Sequence, residues 1–319
     1  MEPITVLSLC DGMSVGHLAL DKVGIPIKTY YAAEIKDFAI NITQKNYPNT
    51  IQIGDVNKIS YKDGMLYTEK GEYHVGKIDM MLLASPCQSF SQAMKTHMRV
   101  GLKDKVRSGL FLECHRILQE VKPTWFLQEN VGSMKNEDRD FISTCMGVEP
   151  IRINSKLVGP ALRDRLYWTN IPNITQPDDK GIKLQNILDD GWCDREKARC
   201  LLVSDSRPLT TPVKMFHRYY STGFSTLIFK SEEHYKACVA EYEMLSGGKR
   251  KITAEELDDY NGNVFDGVRY MNSNELAKCQ TIPIEYFDGL TRNQIADLAG
   301  DGWTVDVIAH IFKNLTTQN

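Results

Sequence analysis

Cys87 stands between Pro86 and a polar, basic segment, which makes it a candidate nucleophile. A thiol attacks as its thiolate, and with an ordinary pKa of about 8.5 it needs cationic or hydrogen-bonding neighbours. Residues 88–107 supply Lys95, Arg99, Lys103, Lys105 and Arg107 against one acid, Asp104. Such a loop favours thiolate and attracts a polyanion. An inert buried thiol beside a solvated charge run is the alternative. Glu129 is a candidate proton donor or hydrogen-bond partner for a reacting group. Arg163 and Arg165 are two residues apart, so on an extended segment both guanidiniums point toward one anionic group. Surface pairing with the intervening Asp164 is the plainer reading.

A second set of residues suits a nucleotide-like cofactor. Asp11-Gly12-Met13-Ser14-Val15-Gly16 follows a strand and opens a helix, where backbone N–H groups meet a ligand. The run lacks the glycine spacing that lets a pyrophosphate approach closely. Tight strand–helix packing is an equally good use of these glycines. Glu34 lies 18 residues beyond Gly16, close to the roughly 20-residue offset of a ribose-binding acid. An acid there with no pyrophosphate cradle suits S-adenosylmethionine better than a dinucleotide. Asp55 is placed to accept from an adenine amine, or to serve as a cap or turn acid.

These residues need elements to hold them. Residues 5–9, 28–33, 51–53, 78–84 and 125–127 read as short buried strands alternating with helical patterns, including 17–23 and 108–121. That alternation predicts an α/β fold around a parallel sheet. The singled-out polar residues follow the carboxyl ends of the strands, the edge where open parallel sheets bind ligands. Prolines 172, 177, 208 and 212 and the loop 246–251 break the pattern. We therefore expect a catalytic domain over 1–172, completed by 266–319, and a smaller domain over 173–265.

Composition narrows the class. The chain has 319 residues, 42% hydrophobic and 25% charged, which excludes disordered, collagenous and coiled-coil proteins. No apolar run approaches the roughly 20 residues of a membrane helix. No secretory signal is evident at the amino terminus, so a soluble cytoplasmic protein is expected. A net charge of −3 argues against non-specific coating of nucleic acid and allows a local basic groove. The eight cysteines form no Cys-x-x-Cys pair, so reduced thiols and no metal site are expected.

Taken together, these motifs resemble those of the DNA cytosine-5 methyltransferases, most nearly the catalytic domain of the animal de novo enzymes. The matches, in family order, are 11–16, Glu34, Asp55, Ser85-Pro86-Cys87, Glu129-Asn130-Val131 and Arg163-Asp164-Arg165. Arg269 to Pro283, with Glu275 and Gln280, is similar to the segment that supports target recognition. Gly300-Asp301-Gly302-Trp303-Thr304-Val305 resembles the last cofactor motif in its de novo form. The chain departs from the family pattern at Leu9-Cys10, Ala161 and Asp301.

The resemblance implies a Rossmann-like S-adenosylmethionine-dependent domain with a smaller target-recognition domain. It implies cofactor contacts from Leu9, Asp11, Gly12, Met13, Ser14, Glu34, Ile35, Asp55, Val56, Ser85, Trp303 and Val305. Double-stranded DNA becomes the expected partner, S-adenosylhomocysteine the product, and restriction protection one setting for the chemistry. Cys87 would add to carbon-6 of a flipped-out cytosine, Glu129 would hold N3 and the exocyclic amine, and Arg165 with Arg163 would meet the ring oxygen or a phosphate. The 88–107 loop would close over the base. Arg207, Lys214, Arg218 and Lys249 to Lys251 would contact DNA. The alternative is the family's transfer-RNA branch, whose Cys-Phe-Thr motif this chain lacks. A binding-only protein and a nicotinamide dehydrogenase are the rivals from other classes.

Overall fold

In a computed structural model, residues 1–86, 90, 101, 109–203, 209, 211–247 and 252–316 are described. Cys87, most of 88–107, Arg207 and Lys249 to Lys251 lie outside them. The described residues form two compact units. The first comprises Met1–Asn154, Asp164–Pro177 and Trp303–Asn319, and the second Ser155–Arg163 and Asp178–Gly302.

The first unit is built on a seven-stranded sheet. Its strands are β1 (Ile4–Leu9), β2 (Ile27–Ala33), β3 (Ile51–Gln52), β7 (Met80–Leu83), β8 (Trp125–Val131), β9 (Ile151–Asn154) and β10 (Asp164–Thr169). The spatial order is β3-β2-β1-β7-β8-β10-β9. Neighbours from β3 to β8 pair in parallel, whereas β10 runs antiparallel to both β8 and β9. The chain leaves β1 toward β2 and returns on the other side at β7, so the order reverses beside β1. Ligands of open sheets bind at such a switch point. All six residues of β1 and all four of β7 are buried, which explains why β7 is an unbroken apolar run and β1 an apolar run interrupted only by Thr5 and Ser8.

Helices α1 (Val15–Lys22), α2 (Asp37–Asn46), α3 (Leu110–Val121), α4 (Asn136–Met146) and α10 (Val305–Thr316) belong to the same unit. This is the mixed α/β architecture that the alternation predicts and the Rossmann-like one that the resemblance implies. Between β3 and β7 comes a small antiparallel sheet, β4 (Ser60–Lys62), β5 (Met65–Thr68) and β6 (Gly71–His74), which the sequence reading missed. It is tied to α3, where Arg116 Nη2 donates to the Ile59 carbonyl at 2.8 Å and Glu120 accepts from Tyr61 N at 2.9 Å.

Two strands differ from expectation in a way that moves the site. β8 runs on through Val131, so Glu129 lies inside a strand and not beyond it. Its parallel neighbour β7 stops opposite Gln128, but antiparallel β10 continues alongside, pairing Tyr167 with Glu129 and Arg165 with Val131. Arg165 is likewise inside β10.

The second unit holds α5 (Pro212–Thr222), α6 (Glu232–Ser246), α7 (Ala254–Asp258), α8 (Ser273–Cys279) and α9 (Arg292–Asp301). Its aromatic core includes Phe216, Tyr219, Phe229, Tyr242 and Phe265. Residues 266–302 fall within it.

Candidate active site

At the end of β1 the chain turns through three left-handed residues, Cys10, Gly12 and Ser14 (φ 54°, 62° and 55°). A side chain at Gly12 would meet nothing within 4 Å, so this glycine serves backbone conformation and leaves an open face. Gly16 serves packing instead: a Cβ there would fall 2.3 Å from Leu82 Cδ1. Glu34, just past β2, ties the two strand ends together. Its Oε2 accepts from Gly12 N at 2.7 Å, and its Oε1 accepts from the backbone N–H of Ile35 and Lys36 at 2.8 and 3.0 Å. Ile35 beside it is 70% exposed, an apolar surface at the rim of the glycine loop.

Other residues of the implied cofactor set turn inward. Asp11 accepts from Tyr30 Oη at 2.8 Å and from Ser14 Oγ. Burial pushes its carboxyl pKa up from 3.8 to about 6, against the lowering effect of these donors. Leu9, Met13, Val56 and Val305 are buried. Asp55 makes the cap that was its plainer reading, its Oδ1 accepting from Asn57 N at 2.9 Å and Asn57 Nδ2 at 2.8 Å. Its own N–H donates to Glu69 Oε1 at 2.9 Å. Nothing in the sequence singled out Glu69, which comes from the turn of the small sheet.

Beyond β7, buried Ser85 meets β8. Gln128 Nε2 approaches its hydroxyl and Asn130 Nδ2 its carbonyl, both at 3.4 Å. Glu129 lies between them in sequence, and its carboxylate is buried and held at both oxygens. Arg165 Nε approaches Oε1 at 2.7 Å, and Trp303 Nε1–H donates to Oε2 at 3.1 Å. The Trp303 contact joins residues 174 apart in the chain.

Arg163 differs from the expectation of two guanidiniums on one anion. It precedes β10, so strand alternation does not align it with Arg165. Its Nη1 donates to the Gly300 carbonyl at 3.0 Å and its Nη2 to the Asp301 carbonyl at 3.2 Å, at the end of α9. These are carbonyls left over at a helix terminus, which a cation suits.

Among the described thiols, burial pushes Cys193 and Cys279 up to about 12 and Cys238 up to about 11, so they stay protonated at neutral pH. In the second unit, Glu275 is fully buried in a two-point pair with Arg269, both contacts at 2.8 Å. Gln280 donates to the Ala299 carbonyl, tying α8 to α9. Lys214 pairs with Asp258 and Arg218 is half-buried on α5. Among the described residues, no helix is long and apolar enough to cross a membrane. No described group of three or more His, Cys, Asp or Glu is placed to hold a metal ion.

Residues 4–146 match the family of C-5 cytosine-specific DNA methylases. The type II methyltransferase M.NlaIV of Neisseria lactamica is 29% identical over 216 residues, covering 60% of this chain and 48% of that protein. The chain therefore spans about half the length of the curated relatives it matches. A Dnmt2 structure from Spodoptera frugiperda aligns over 98% of this chain and 99% of its own at a TM-score of 0.64 and 18% identity. The Dnmt2 methyltransferase of S. pombe aligns over 98% of both chains at the same TM-score and 14% identity. These relatives are bacterial type II enzymes and Dnmt2 proteins rather than animal de novo enzymes. Use of S-adenosylmethionine is consistent with this fold and family. Over residues 4–146 the chain is similar to the C5-cytosine methyltransferase family.

Proposed function

We propose that this chain methylates carbon-5 of a cytosine in a polynucleotide, with S-adenosylmethionine as donor and Cys87 as nucleophile. The observation that carries the reading is Glu129, a buried carboxylate fixed by Arg165 at 2.7 Å within the sheet that also bears the glycine loop. The loop suits the cofactor in three respects. Glu34 is an acid at a ribose-binding offset, the loop lacks pyrophosphate glycines, and Ile35 offers an exposed apolar surface. When bound, S-adenosylmethionine supplies an electrophilic methyl group.

Carbon-5 of cytosine is a poor nucleophile until a thiolate adds at carbon-6. Cys87 would make that bond, splitting one hard step into two easier ones. Glu129 would hold N3 and the exocyclic amine as charge develops on the ring, and Arg165 keeps that carboxylate in place. Once carbon-5 carries the methyl group, loss of its proton expels the Cys87 thiolate and restores the aromatic ring. The base must leave its stack for this, at a cost of a few kcal/mol. Residues 173–265 would read the target, with Lys214 and Arg218 among the phosphate contacts.

Two polynucleotides suit this chemistry. DNA follows from the family description matched by residues 4–146. Transfer RNA is favoured by coverage, since the Dnmt2 likeness runs over 98% of this chain whereas the type II alignment reaches 60%. The likeness of Gly300 to Val305 to the animal de novo motif bears on the cofactor side alone.

Methyl transfer from labelled S-adenosylmethionine to unmethylated DNA and to transfer RNA, with the product read at base resolution, tests the reading. We expect 5-methylcytosine in one of the two. Label in neither, with S-adenosylhomocysteine binding intact, would overturn it. Cys87→Ser should abolish turnover and leave cofactor binding unchanged by calorimetry. A Cys87→Ser protein that still turns over would remove Cys87 from the mechanism.

A further inference from the structure

Glu129 is gripped from two sides, and one of the two partners comes from the opposite end of the chain. Arg165, on the neighbouring strand, meets Oε1, and Trp303 donates its indole N–H to Oε2. Trp303 is itself only 6% exposed. We propose that Trp303 is a positioning residue for Glu129, its indole N–H locking the carboxylate in the orientation that Arg165 alone leaves free to turn. The proposal rests on the reading of Glu129 as the group that holds the target cytosine.

The last torsion of a glutamate is broad and roughly two-fold. Arg165 meets Oε1 as an ion pair without a hydrogen bond to that oxygen, so the carboxylate can still swing or exchange its oxygens. The hydrogen bond from Trp303 on the other oxygen removes that freedom. Each carboxylate oxygen accepts more than one hydrogen bond, so both partners can stay in place while the ring is bound. Tryptophan suits the role because its indole is a donor only and carries no charge. It steadies the carboxylate without adding a second cation beside it.

The fold supplies the stiffness. Trp303 stands two residues before α10, whose first turn is closed by Val307 N and Ile308 N donating to the Thr304 carbonyl at 3.1 and 3.3 Å. Helix α10 packs on α1, and α1 begins directly after the glycine loop. The indole is thereby carried by the helix pair that also supports the loop following β1.

Trp303→Phe keeps a ring and removes the donor. Losing one hydrogen bond to a charged group should lower kcat about tenfold to a hundredfold. Because phenylalanine keeps the aromatic ring that the resemblance sets against the cofactor, KM for S-adenosylmethionine and calorimetric affinity for S-adenosylhomocysteine should stay within about threefold. Adding Trp303→Phe to Glu129→Ala should cost nothing further, because a residue acting through Glu129 has nothing left to position. Independently of turnover, the Trp303 indole N–H resonance in nitrogen-15 spectra should shift in Glu129→Ala or, if that variant melts early, in Glu129→Gln. If the wild-type chain methylates no polynucleotide, the methyltransferase reading fails and this proposal with it. If it does methylate, an unmoved indole resonance, additive losses, or a parallel fall in kcat and cofactor affinity would overturn the proposal alone.

Discussion

Asp11 is a half-buried carboxylate and Glu129 a buried one, and their surroundings give them different work. Asp11 accepts from the neutral hydroxyls of Ser14, Ser8 and Tyr30, and burial leaves its pKa at about 6. Its folded pKa lies above the unfolded value, so the folded chain retains a proton that the unfolded chain has lost between about pH 4 and pH 6. Stability contributed by this group is therefore present below that window and lost as pH rises through it. Thermal melts of the wild type should show that loss between pH 4 and 6, and Asp11→Asn should remove that part of the slope. A slope unchanged by the substitution would assign the proton elsewhere. Glu129 faces a guanidinium and an indole N–H instead. Glu129→Ala should reduce turnover by about a hundredfold or more, the range of a general acid or hydrogen-bond partner in the transition state. Cofactor affinity should change far less. Equal losses of both in kinetics and calorimetry would make Glu129 a packing residue.

The elements explain why the two glycines of one loop are not equivalent. Gly12 carries the positive φ that the turn demands, whereas Gly16 lets α1 approach β7. Gly16→Ala would drive a methyl into the buried Leu82 side chain and should cost about 1–3 kcal/mol, as overpacking does. Urea unfolding would read this directly, and an unchanged midpoint would show that Leu82 moves aside freely. The parallel strands were legible from short, largely apolar runs, β7 being the most apolar. The small sheet was missed although it carried a signal, Asp63-Gly64, where both residues take positive φ (49° and 81°). Asp-Gly is a strong hairpin pair. Of the flanking segments, Ser60–Lys62 is short and polar and Met65–Thr68 only four residues long, so neither reads as a strand alone. The extent of β8 was not legible, because its last residues owe their pairing to β10, more than thirty residues downstream.

Over the whole molecule, the first unit is assembled from three separated stretches, and its last stretch begins at Trp303. Helix α10 closes the unit by burying Val307, Ile308, Ile311 and Phe312. Phe312→Ala should cost about 3–5 kcal/mol, the penalty for emptying a fully buried aromatic site. Chemical denaturation would measure it. A loss much smaller than this would mean that the carboxyl-terminal helix contributes little to closing the unit.

The sequence by itself determined the α/β class, the positions of the main parallel strands along the chain, the glycine loop with Glu34 behind it, and the grouping of Glu129 and Arg165 as candidates. These rest on local rules: apolar runs, helical spacing, and offsets counted along the chain. Only the tertiary structure decided what each side chain meets. It gave Arg163 to the carbonyls at the end of α9, turned Asp11 inward to Tyr30, placed Glu69 at the Asp55 backbone, and set Trp303 on Glu129. Periodicity reports which face of an element a residue occupies. It does not report which residue, 174 positions away, is packed against that face.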